Sequence, residues 1–423
     1  MKLLIKGGRV IDPSQGLAEP RDVLVEKGRV ADLLPPGKKA GDAKVVDARG
    51  CWVVPGLIDM HVHLREPGQE YKETIATGAA AAIAGGITAV ACMANTNPVN
   101  DNASVTDYIL EKAGEAGKAR VYPVGAVTAH LKGEGLAELG ELKDHGCVAA
   151  SDDGRPVMNA ELFRRALEYC LALDIPVLDH AENLDLSSGG CMNEGIISTE
   201  LGLTGIPAAA EETMVARDVI LAELTGARLH VQHVSAAGSV RIIREAKARG
   251  VKVTAETCPH YFTLTHEAVR GYDTSFKMNP PLRSRADLLA VIEGIKDGAI
   301  DAIASDHAPH SLVEKDLEFS EAQNGIVGLE TLLPLSLRLV HDGIITPSRW
   351  VEMVSMNPAR ILAVPGGSLK VGAAADISVI APDEEWTVDK TRFLSKGRNT
   401  PFNGWKVKGK ARAVIVEGKV VKV

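Results

Sequence analysis

The stretch Pro55-Gly56-Leu57-Ile58-Asp59-Met60-His61-Val62-His63-Leu64-Arg65 is apolar until it reaches two histidines separated by one residue. Side chains alternate between the two faces of a β-strand, so we expect His61 and His63 on one face and Val62 on the other. This spacing predicts two imidazoles at the carboxyl end of one strand, close enough to share a metal ion. Arg65 follows at the mouth of the same strand, where its guanidinium can hold an anion.

The chain beyond this stretch repeats a pattern of strand, loop and helix. Apolar strand-like runs end near His61, Met93, Val127, Asp153, His180, His233, Thr257 and Asp306. Helical periodicity covers residues 76–84, 106–115, 160–173, 211–224, 239–248 and 285–295. Eight strand–helix units predict an α/β fold, a (β/α)8 TIM-type barrel, in preference to a doubly wound open sheet.

The two chain ends have a different pattern, because residues 1–54 and 367–423 alternate short β-rich pieces with turn signals. Neither end is long enough to bury a core by itself. We therefore expect the two ends to form one small β-rich domain and residues 55–366 to form the barrel.

The composition indicates a soluble globular protein. The 423 residues carry a net charge of −8 with no basic stripe, which argues against nucleic acid as a partner. No apolar run approaches the ~20 residues of a membrane span, and we expect a cytoplasmic location. The six cysteines lack metal-site or disulfide spacing and are expected to be reduced packing residues.

Barrel active sites assemble at the carboxyl ends of the strands, and the polar residues of this chain fall there. They are His61 and His63 after strand one, Asp152 and Asp153 after strand four, His180 after strand five, His233 after strand six, and Asp306 after strand eight. Four imidazoles with two carboxylates suit zinc, and they are enough for two ions that share a bridging carboxylate. Side-chain parity leaves open whether Asp152 or Asp153 is the bridge. We expect His130, His145, His230, His260 and His307 to be structural.

Several motifs extend this pattern to a family resemblance that covers essentially the whole chain. They are residues 55–68 (PGLIDMHVHLREPG), 95–98 (NTNP), 152–154 (DDG), 179–182 (DHAE), 232–235 (QHVS), 256–260 (ETCPH), 279–283 (NPPLR) and 305–310 (SDHAPH). Together they resemble the metal-dependent amidohydrolases and, more narrowly, the dihydroorotases of the larger bacterial type. Residues 357–359, 372–376 and 399–402 also resemble the carboxyl-terminal segment of that family.

The resemblance implies a role for each matching residue. His61, His63 and Asp306 would hold one zinc, His180 and His233 the other, and Asp153 would bridge them. The chain has no lysine at the end of strand four, so the aspartate-bridged variant fits better than a carboxylated lysine.

The implied reaction is the reversible hydrolysis of (S)-dihydroorotate to N-carbamoyl-L-aspartate, a step of pyrimidine biosynthesis, with Asp306 as the proton carrier. The implied substrate contacts are His63, Arg65, Asn95 and His310 at the carboxylate, and Asn279 with the backbone of Asn324 and Gly325 at the ring amides. The polar segment 311–325 is expected to be a mobile lid.

Two other functions compete with this interpretation. A hydantoinase, dihydropyrimidinase or allantoinase would share the barrel and the metals, but would be expected to bridge with lysine and would not need Arg65. An inactive relative that only scaffolds aspartate carbamoyltransferase would typically lose metal ligands, and all six are present here. A homodimer and a complex with aspartate carbamoyltransferase are possible partners.

Overall fold

The computed structural model describes residues 2–38 and 41–421. Five strands come first: β1 (Lys2–Asp12), β2 (Leu17–Glu26), β3 (Arg29–Leu34), β4 (Lys44–Asp47) and β5 (Trp52–Pro55). The buried positions of β1 include runs at residues 3–5 and 10–12 rather than strict alternation, and a bulge between Ile5 and Gly8 shifts its register with β2. The last of the five, β5, leads directly into the barrel through Gly56.

The barrel strands are β6 (Leu57–Val62), β7 (Ile87–Cys92), β8 (Arg120–Gly125), β9 (Ala149–Ala150), β10 (Val177–Asp179), β13 (Leu229–Val231), β14 (Val253–Thr257) and β15 (Ala302–Ile303), with β11 (Met192–Asn193) and β12 (Gly205–Ile206) paired beside them. The eight barrel strands are parallel neighbours in that order. A bridge between Val62 and His307 closes the ring, and the His63 N–H donates to the His307 carbonyl at 2.8 Å. The predicted (β/α)8 barrel is confirmed.

Helices surround the strands: α1 (Ile75–Ala84), α2 (Ala103–Ala116), α3 (Leu139–Asp144), α4 (Ala160–Leu173), α5 (Leu184–Ser187), α6 (Ile196–Leu201), α7 (Ala209–Thr225), α8 (Ala237–Ala248), α9 (Arg285–Asp297), α10 (Leu312–Lys315), α11 (Leu332–His341), α12 (Pro347–Val351) and α13 (Asn357–Leu362). The six helices predicted from periodicity are all present. The short α3 and the apolar α11 follow strands β8 and β15 and complete the outer layer. No helix among the described residues is long and apolar enough to cross a membrane.

Local sequence sets where the helices begin. Thr74 caps α1 by accepting from the Thr77 N–H, while the Thr77 hydroxyl accepts from the Thr74 N–H. Ser284 and Asp287 make the same reciprocal pair at the start of α9. Such caps satisfy backbone donors that the first turn leaves free.

The carboxyl-terminal strands β16 (Ile377–Thr387), β17 (Lys406–Val416) and β18 (Lys419–Val421) join the amino-terminal ones. The sheet order is β18-β17-β16-β5-β1-β2-β3, with β4 beside β1. Its own core includes Leu3, Val23 and Ile377, all fully buried. The two chain ends therefore form one small β-rich unit, as predicted, while the bounds 1–54 and 367–423 remain a prediction.

Candidate active site and metal centre

Four polar side chains meet at the carboxyl ends of β6, β9 and β15. His61 Nε2 lies 3.3 Å from Asp153 Oδ1 and 3.6 Å from Asp306 Oδ1. His63 Nε2 lies 3.2 Å from Asp306 Oδ1 and 3.4 Å from Asp153 Oδ2. The two imidazoles therefore lie on one face of β6, as the alternating spacing predicted. Each directs its Nε2 at the carboxylates of Asp153 and Asp306.

His180 and His233 complete the cluster on the other side of Asp153. His180 Nδ1 lies 3.5 Å and His233 Nε2 lies 3.8 Å from Asp153 Oδ1. The same two nitrogens are 2.7 Å apart. Two lone pairs at that separation repel unless a proton or a cation lies between them. Ligand atoms of His61, Asp153 and His233 lie within 4.8 Å of one another, as do those of His61, His63 and Asp306.

Hydrogen bonds to the remote ring nitrogens determine which imidazole nitrogens face the cluster. His61 Nδ1 donates to Glu256 Oε1 at 2.7 Å, and His63 Nδ1 donates to Asn95 Oδ1 at 2.9 Å. Because both acceptors are oxygens, each Nδ1 carries a proton, and each Nε2 is the nitrogen that can become a ligand once it is unprotonated. Orienting contacts of this kind are typical of histidines that bind metals.

Burial and proximity shift the pKa values of the cluster strongly. Burial alone would raise the pKa of Asp153, but the charge on His61 and the nearby ring nitrogens of His180 and His233 lower it well below its usual range. The pKa of Asp306 is also lowered, since His61 and His63 outweigh its burial. Both carboxylates are therefore ionised and can act only as acceptors or ligands.

The donor set fits a divalent cation. His61 Nε2 and Asp153 Oδ1 are buried and make no hydrogen bond within the described residues. Imidazole nitrogens and carboxylate oxygens are ligands that zinc accepts readily. A cation between these atoms would satisfy lone pairs and negative charge that are otherwise costly to bury.

The structure gives Asp152 and Asp153 different surroundings, which the alternation of side chains along the sequence could not distinguish. Asp152 accepts from the backbone N–H groups of Val127 at 2.7 Å and Thr128 at 3.0 Å, and also from the Thr128 hydroxyl. Its carboxylate therefore anchors the loop after β8. Asp153 points to the opposite side and faces the histidines.

Three residues of the site adopt positive φ angles although none is glycine: Arg65 at 63°, His233 at 34° and Asp306 at 47°. Such backbone conformations cost roughly 1–3 kcal/mol each and persist only where the surroundings enforce them. All of them come shortly after the end of a barrel strand. The barrel thus holds these side chains in orientations that a relaxed loop would not favour.

Arg65 lies beside the cluster in a buried pocket. Its Nε donates to the Pro309 carbonyl at 3.3 Å, and no carboxylate lies within 4.0 Å of its guanidinium among the residues described. Burial lowers the pKa of Arg65, although the charges of Asp306 and Asp153 counteract this. The group remains a cation, since arginine is not deprotonated in proteins. It is available to pair with an anion.

His310 lies next to Arg65, with its Nε2 3.4 Å from the guanidinium. That nitrogen donates to the Asn324 carbonyl at 2.8 Å, while its buried Nδ1 makes no hydrogen bond among the described residues. Burial and the charge of Arg65 lower the pKa of His310 to about 2, so the ring is neutral. A side chain at Gly325 would approach Ala308 and His310, and this glycine has a φ of 131°.

The other predicted substrate contacts lie at the rim. Asn95 and Asn279 are partly exposed, and Asn324 is exposed. The Gly325 N–H donates to the Lys277 carbonyl at 3.0 Å, and its carbonyl accepts from Asn399 at 3.0 Å. Both backbone groups of Gly325 are thus engaged within the protein in this conformation.

The segment 311–325 is tied down by two buried lysines. Lys315 Nζ, on α10, donates to the carbonyls of Gln323 at 2.7 Å, Lys277 at 3.2 Å and Gly325 at 3.2 Å. Lys277 Nζ donates to the carbonyls of Ser320 at 2.8 Å and Ala322 at 2.6 Å. These contacts join the two lysines to the backbone between Ser320 and Gly325.

Sequence reasoning missed four residues that support the site: Glu182, Glu256, Lys277 and Lys315. Glu182 could have been found from its position two residues after His180. Glu256 lies at the end of β14 and reaches His61 across the barrel interior, where it also accepts from His230 at 3.2 Å. No local pattern signals that contact. His230 has the structural role that the sequence predicted.

Comparisons with known proteins agree with this geometry. Residues 50–239 match the Dihydro-orotase-like family. A dihydroorotase of Geobacter metallireducens is 61% identical over 421 residues, which cover 100% of this chain and 99% of that protein. A dihydroorotase of Syntrophotalea carbinolica is 58% identical over 420 residues, covering 99% of both chains. The chain belongs to the dihydroorotase family.

Solved structures extend the likeness to other cyclic amidohydrolases. An L-hydantoinase (dihydropyrimidinase) from Arthrobacter aurescens superposes with a TM-score of 0.89 at 26% identity, covering 99% of this chain and 96% of that one. A dihydropyrimidinase from Brevibacillus agri gives a TM-score of 0.86 at 26% identity, covering 100% and 95%. The chain is a cyclic amidohydrolase, and the dihydroorotase family is metal-dependent.

We expect Lys315→Met to loosen the segment 311–325. The change removes three hydrogen bonds from Lys315 Nζ to carbonyl groups. Burial lowers the pKa of Lys315 to about 7, so the measurement is made about one pH unit below that value, where the donor is charged. Hydrogen bonds to charged groups contribute roughly 1.5–3 kcal/mol each, so losing even one should speed local opening ~10-fold or more. Limited proteolysis, followed by mass spectrometry of the cleavage sites, measures this. The exposed Lys296→Met is the matched control, and equal cleavage of the two variants would contradict the anchoring role.

Proposed function

We propose that this protein is a zinc-dependent dihydroorotase, which hydrolyses (S)-dihydroorotate reversibly to N-carbamoyl-L-aspartate in pyrimidine biosynthesis. The observation that carries the proposal is the buried Arg65 guanidinium, without a carboxylate partner in the described structure, beside a cluster of metal-type ligands. Hydrolysis of a cyclic amide that carries a carboxylate needs a metal centre for the amide and a cation for the carboxylate at one site. The family membership supports the same reaction.

Two zinc ions are the proposed cofactor. His61, His63 and Asp306 would hold one ion, His180 and His233 the other, and Asp153 would bridge them. The distances of 3.2–3.8 Å between these ligand atoms and the carboxylates support this assignment. When bound, zinc lowers the pKa of water and polarises a carbonyl oxygen.

Asp306 is the proposed catalytic proton carrier. Its ionised carboxylate accepts a proton from the water that adds to the ring carbonyl carbon. As the bond between that carbon and the ring nitrogen breaks, Asp306 returns the proton to the nitrogen, which leaves as part of the ureido group. The positive φ of Asp306 and its contact with His63 hold the carboxylate toward the cluster.

Substrate recognition is assigned to the residues around this centre. Arg65 would pair with the substrate carboxylate, and the amino group of Asn95 would donate to it, because Asn95 Oδ1 is already used by His63. His310 would donate its Nε2–H once the Asn324 carbonyl moves away. Asn279 and the backbone of Asn324 and Gly325 would bind the ring amides, which requires the Gly325 N–H to leave the Lys277 carbonyl.

The hydantoinase or dihydropyrimidinase alternative rests on the structural likeness of the barrel. Such enzymes were expected to bridge their metals with lysine, whereas Asp153 stands at the end of strand four here. The inactive scaffold alternative is weakened because all six ligand positions converge. The cytoplasmic location, the homodimer and the complex with aspartate carbamoyltransferase remain predictions.

Metal removal tests the proposed cofactor directly. We expect the purified protein to contain two zinc ions per chain, and a chelator to abolish dihydroorotate hydrolysis. Zinc added back to the chelated protein should restore the rate. Elemental analysis and the hydrolysis assay provide the two measurements. Full activity in a metal-free preparation would rule out the zinc mechanism.

Asp306→Ala tests the proton carrier. We expect the variant to fold and to lose ~10²- to 10⁴-fold in kcat, the usual contribution of a general acid–base group. Circular dichroism and zinc analysis should accompany the kinetics, because Asp306 is also a proposed ligand. A kcat close to that of the wild type would remove Asp306 from the mechanism.

Arg65→Met tests substrate specificity. We expect kcat/KM for dihydroorotate to fall at least ~10- to 100-fold, because a charge-assisted bidentate contact contributes roughly 1.5–3 kcal/mol. Zinc content should not change, since Arg65 is not a proposed ligand. The neutral rings dihydrouracil and hydantoin serve as control substrates for the wild type. Hydrolysis of either as fast as dihydroorotate would replace the dihydroorotase assignment with the hydantoinase one.

A further inference from the structure

Glu182 lies two residues beyond His180, in the loop that leaves β10, and its side chain is only 12% exposed. One of its oxygens makes two contacts. Glu182 Oε2 is 3.0 Å from His180 Nε2 and 2.9 Å from Asn279 Nδ2. A single carboxylate oxygen therefore touches both a candidate metal ligand and a candidate substrate contact.

The contact with His180 fixes the position of one proton. The carboxylate oxygen lies at hydrogen-bond distance from Nε2, the His180 ring nitrogen remote from Asp153. An ionised carboxylate accepts hydrogen bonds and donates none. His180 Nε2 therefore carries a proton, and Nδ1, which faces Asp153 and His233, is the nitrogen that can bind a metal once it is unprotonated.

The contact with Asn279 fixes the orientation of an amide. The atom 2.9 Å from a carboxylate oxygen must be the amino nitrogen, since two oxygens without a proton would repel. The amide oxygen of Asn279 consequently points away from Glu182. It makes no hydrogen bond within residues 2–38 and 41–421, and the residue is partly exposed at the rim.

We propose that Glu182 is a positioning residue that couples the metal site to substrate recognition. Through one oxygen it holds His180 Nδ1 ready for metal and presents Asn279 Oδ1 as a hydrogen-bond acceptor. The ligand class that this acceptor selects is a cyclic amide or ureide with an N–H at that position. This inference rests on the proposed function for the identity of the substrate.

A specificity rule follows from the orientation of the amide. An acceptor oxygen forms a hydrogen bond with a ring N–H, but repels a carbonyl oxygen or an unprotonated ring nitrogen placed there. A site that offers a buried or half-buried acceptor discriminates against ligands that leave it unpaired. Glu182 thus contributes to specificity without touching the substrate.

The decisive comparison is between Glu182→Gln and Glu182→Met. Glutamine can place its amide oxygen at the position of Oε2 and accept from both partners, whereas methionine has a similar length and no comparable acceptor. We expect Glu182→Met to weaken zinc binding ~10- to 100-fold, the usual cost of losing an orienting partner. Its KM for dihydroorotate should rise ~10-fold, and Glu182→Gln should restore most of both quantities.

Two further variants separate the two contacts. Asn279→Ala should raise KM while leaving zinc affinity unchanged, because the bond from Glu182 to His180 survives. Asp185→Asn removes an exposed carboxylate three residues away and should change neither quantity. Zinc affinity is measured by competition with a chromophoric chelator, which requires no turnover.

The zinc measurement keeps this inference distinct from the proposed function. If the wild type failed to hydrolyse dihydroorotate, the proposed function would be wrong. The zinc affinities of the variants would still test the role of Glu182. Wild-type zinc affinity in Glu182→Met, or equal losses in the Gln and Met variants, would overturn the positioning role. Thermal unfolding of the metal-free proteins checks folding, and Glu182→Ala replaces the Met variant if that variant does not fold.

Discussion

Three of the four clustered imidazoles have one ring nitrogen bonded to an oxygen acceptor and the other directed at a shared carboxylate. Glu256 binds His61, Asn95 binds His63, and Glu182 binds His180. The rest of the site depends on this constraint, because an imidazole that could exchange tautomers would present a proton to a cation for much of the time. Fixing the remote nitrogen therefore prepares the near one as a ligand before any metal arrives.

The barrel supplies the rigidity that such an arrangement needs. Its first and last strands meet through the Val62–His307 bridge, so the loop that carries Asp306 is fixed against the strand that carries His61 and His63. The positive φ angles at Arg65, His233 and Asp306 show that the closed ring enforces backbone conformations which an isolated segment would avoid. Strain of roughly 1–3 kcal/mol at each position is tolerated beside a large core, but not in a free loop.

Sequence periodicity predicted much of this architecture because the signals are local. The period of two placed His61 and His63 on one face, and helical periodicity located six helices within a few residues of their ends. Side-chain parity could not choose between Asp152 and Asp153, since both follow a strand of only two residues, Ala149–Ala150, and the choice of Asp153 came from the family resemblance. Glu256 was missed for another reason: its partner His61 lies 195 positions away in the chain and across the barrel interior. Contacts of that kind depend on how the strands close into a barrel, and no short stretch of sequence contains that information.

The likeness to hydantoinases shows why fold alone does not decide the substrate. A TM-score of 0.89 at 26% identity means that the barrel and its strand ends are shared, while most side chains differ. What separates a charged ring from a neutral one must then reside in a few groups near the proposed metal ligands. Arg65 is the group that we propose, because a buried guanidinium without a carboxylate partner has lost much of its hydration and is compensated only by pairing. A neutral ring would leave that free-energy cost uncompensated in the complex. A ring that carries a carboxylate would offset it, and the same cation that penalises one substrate would therefore favour the other.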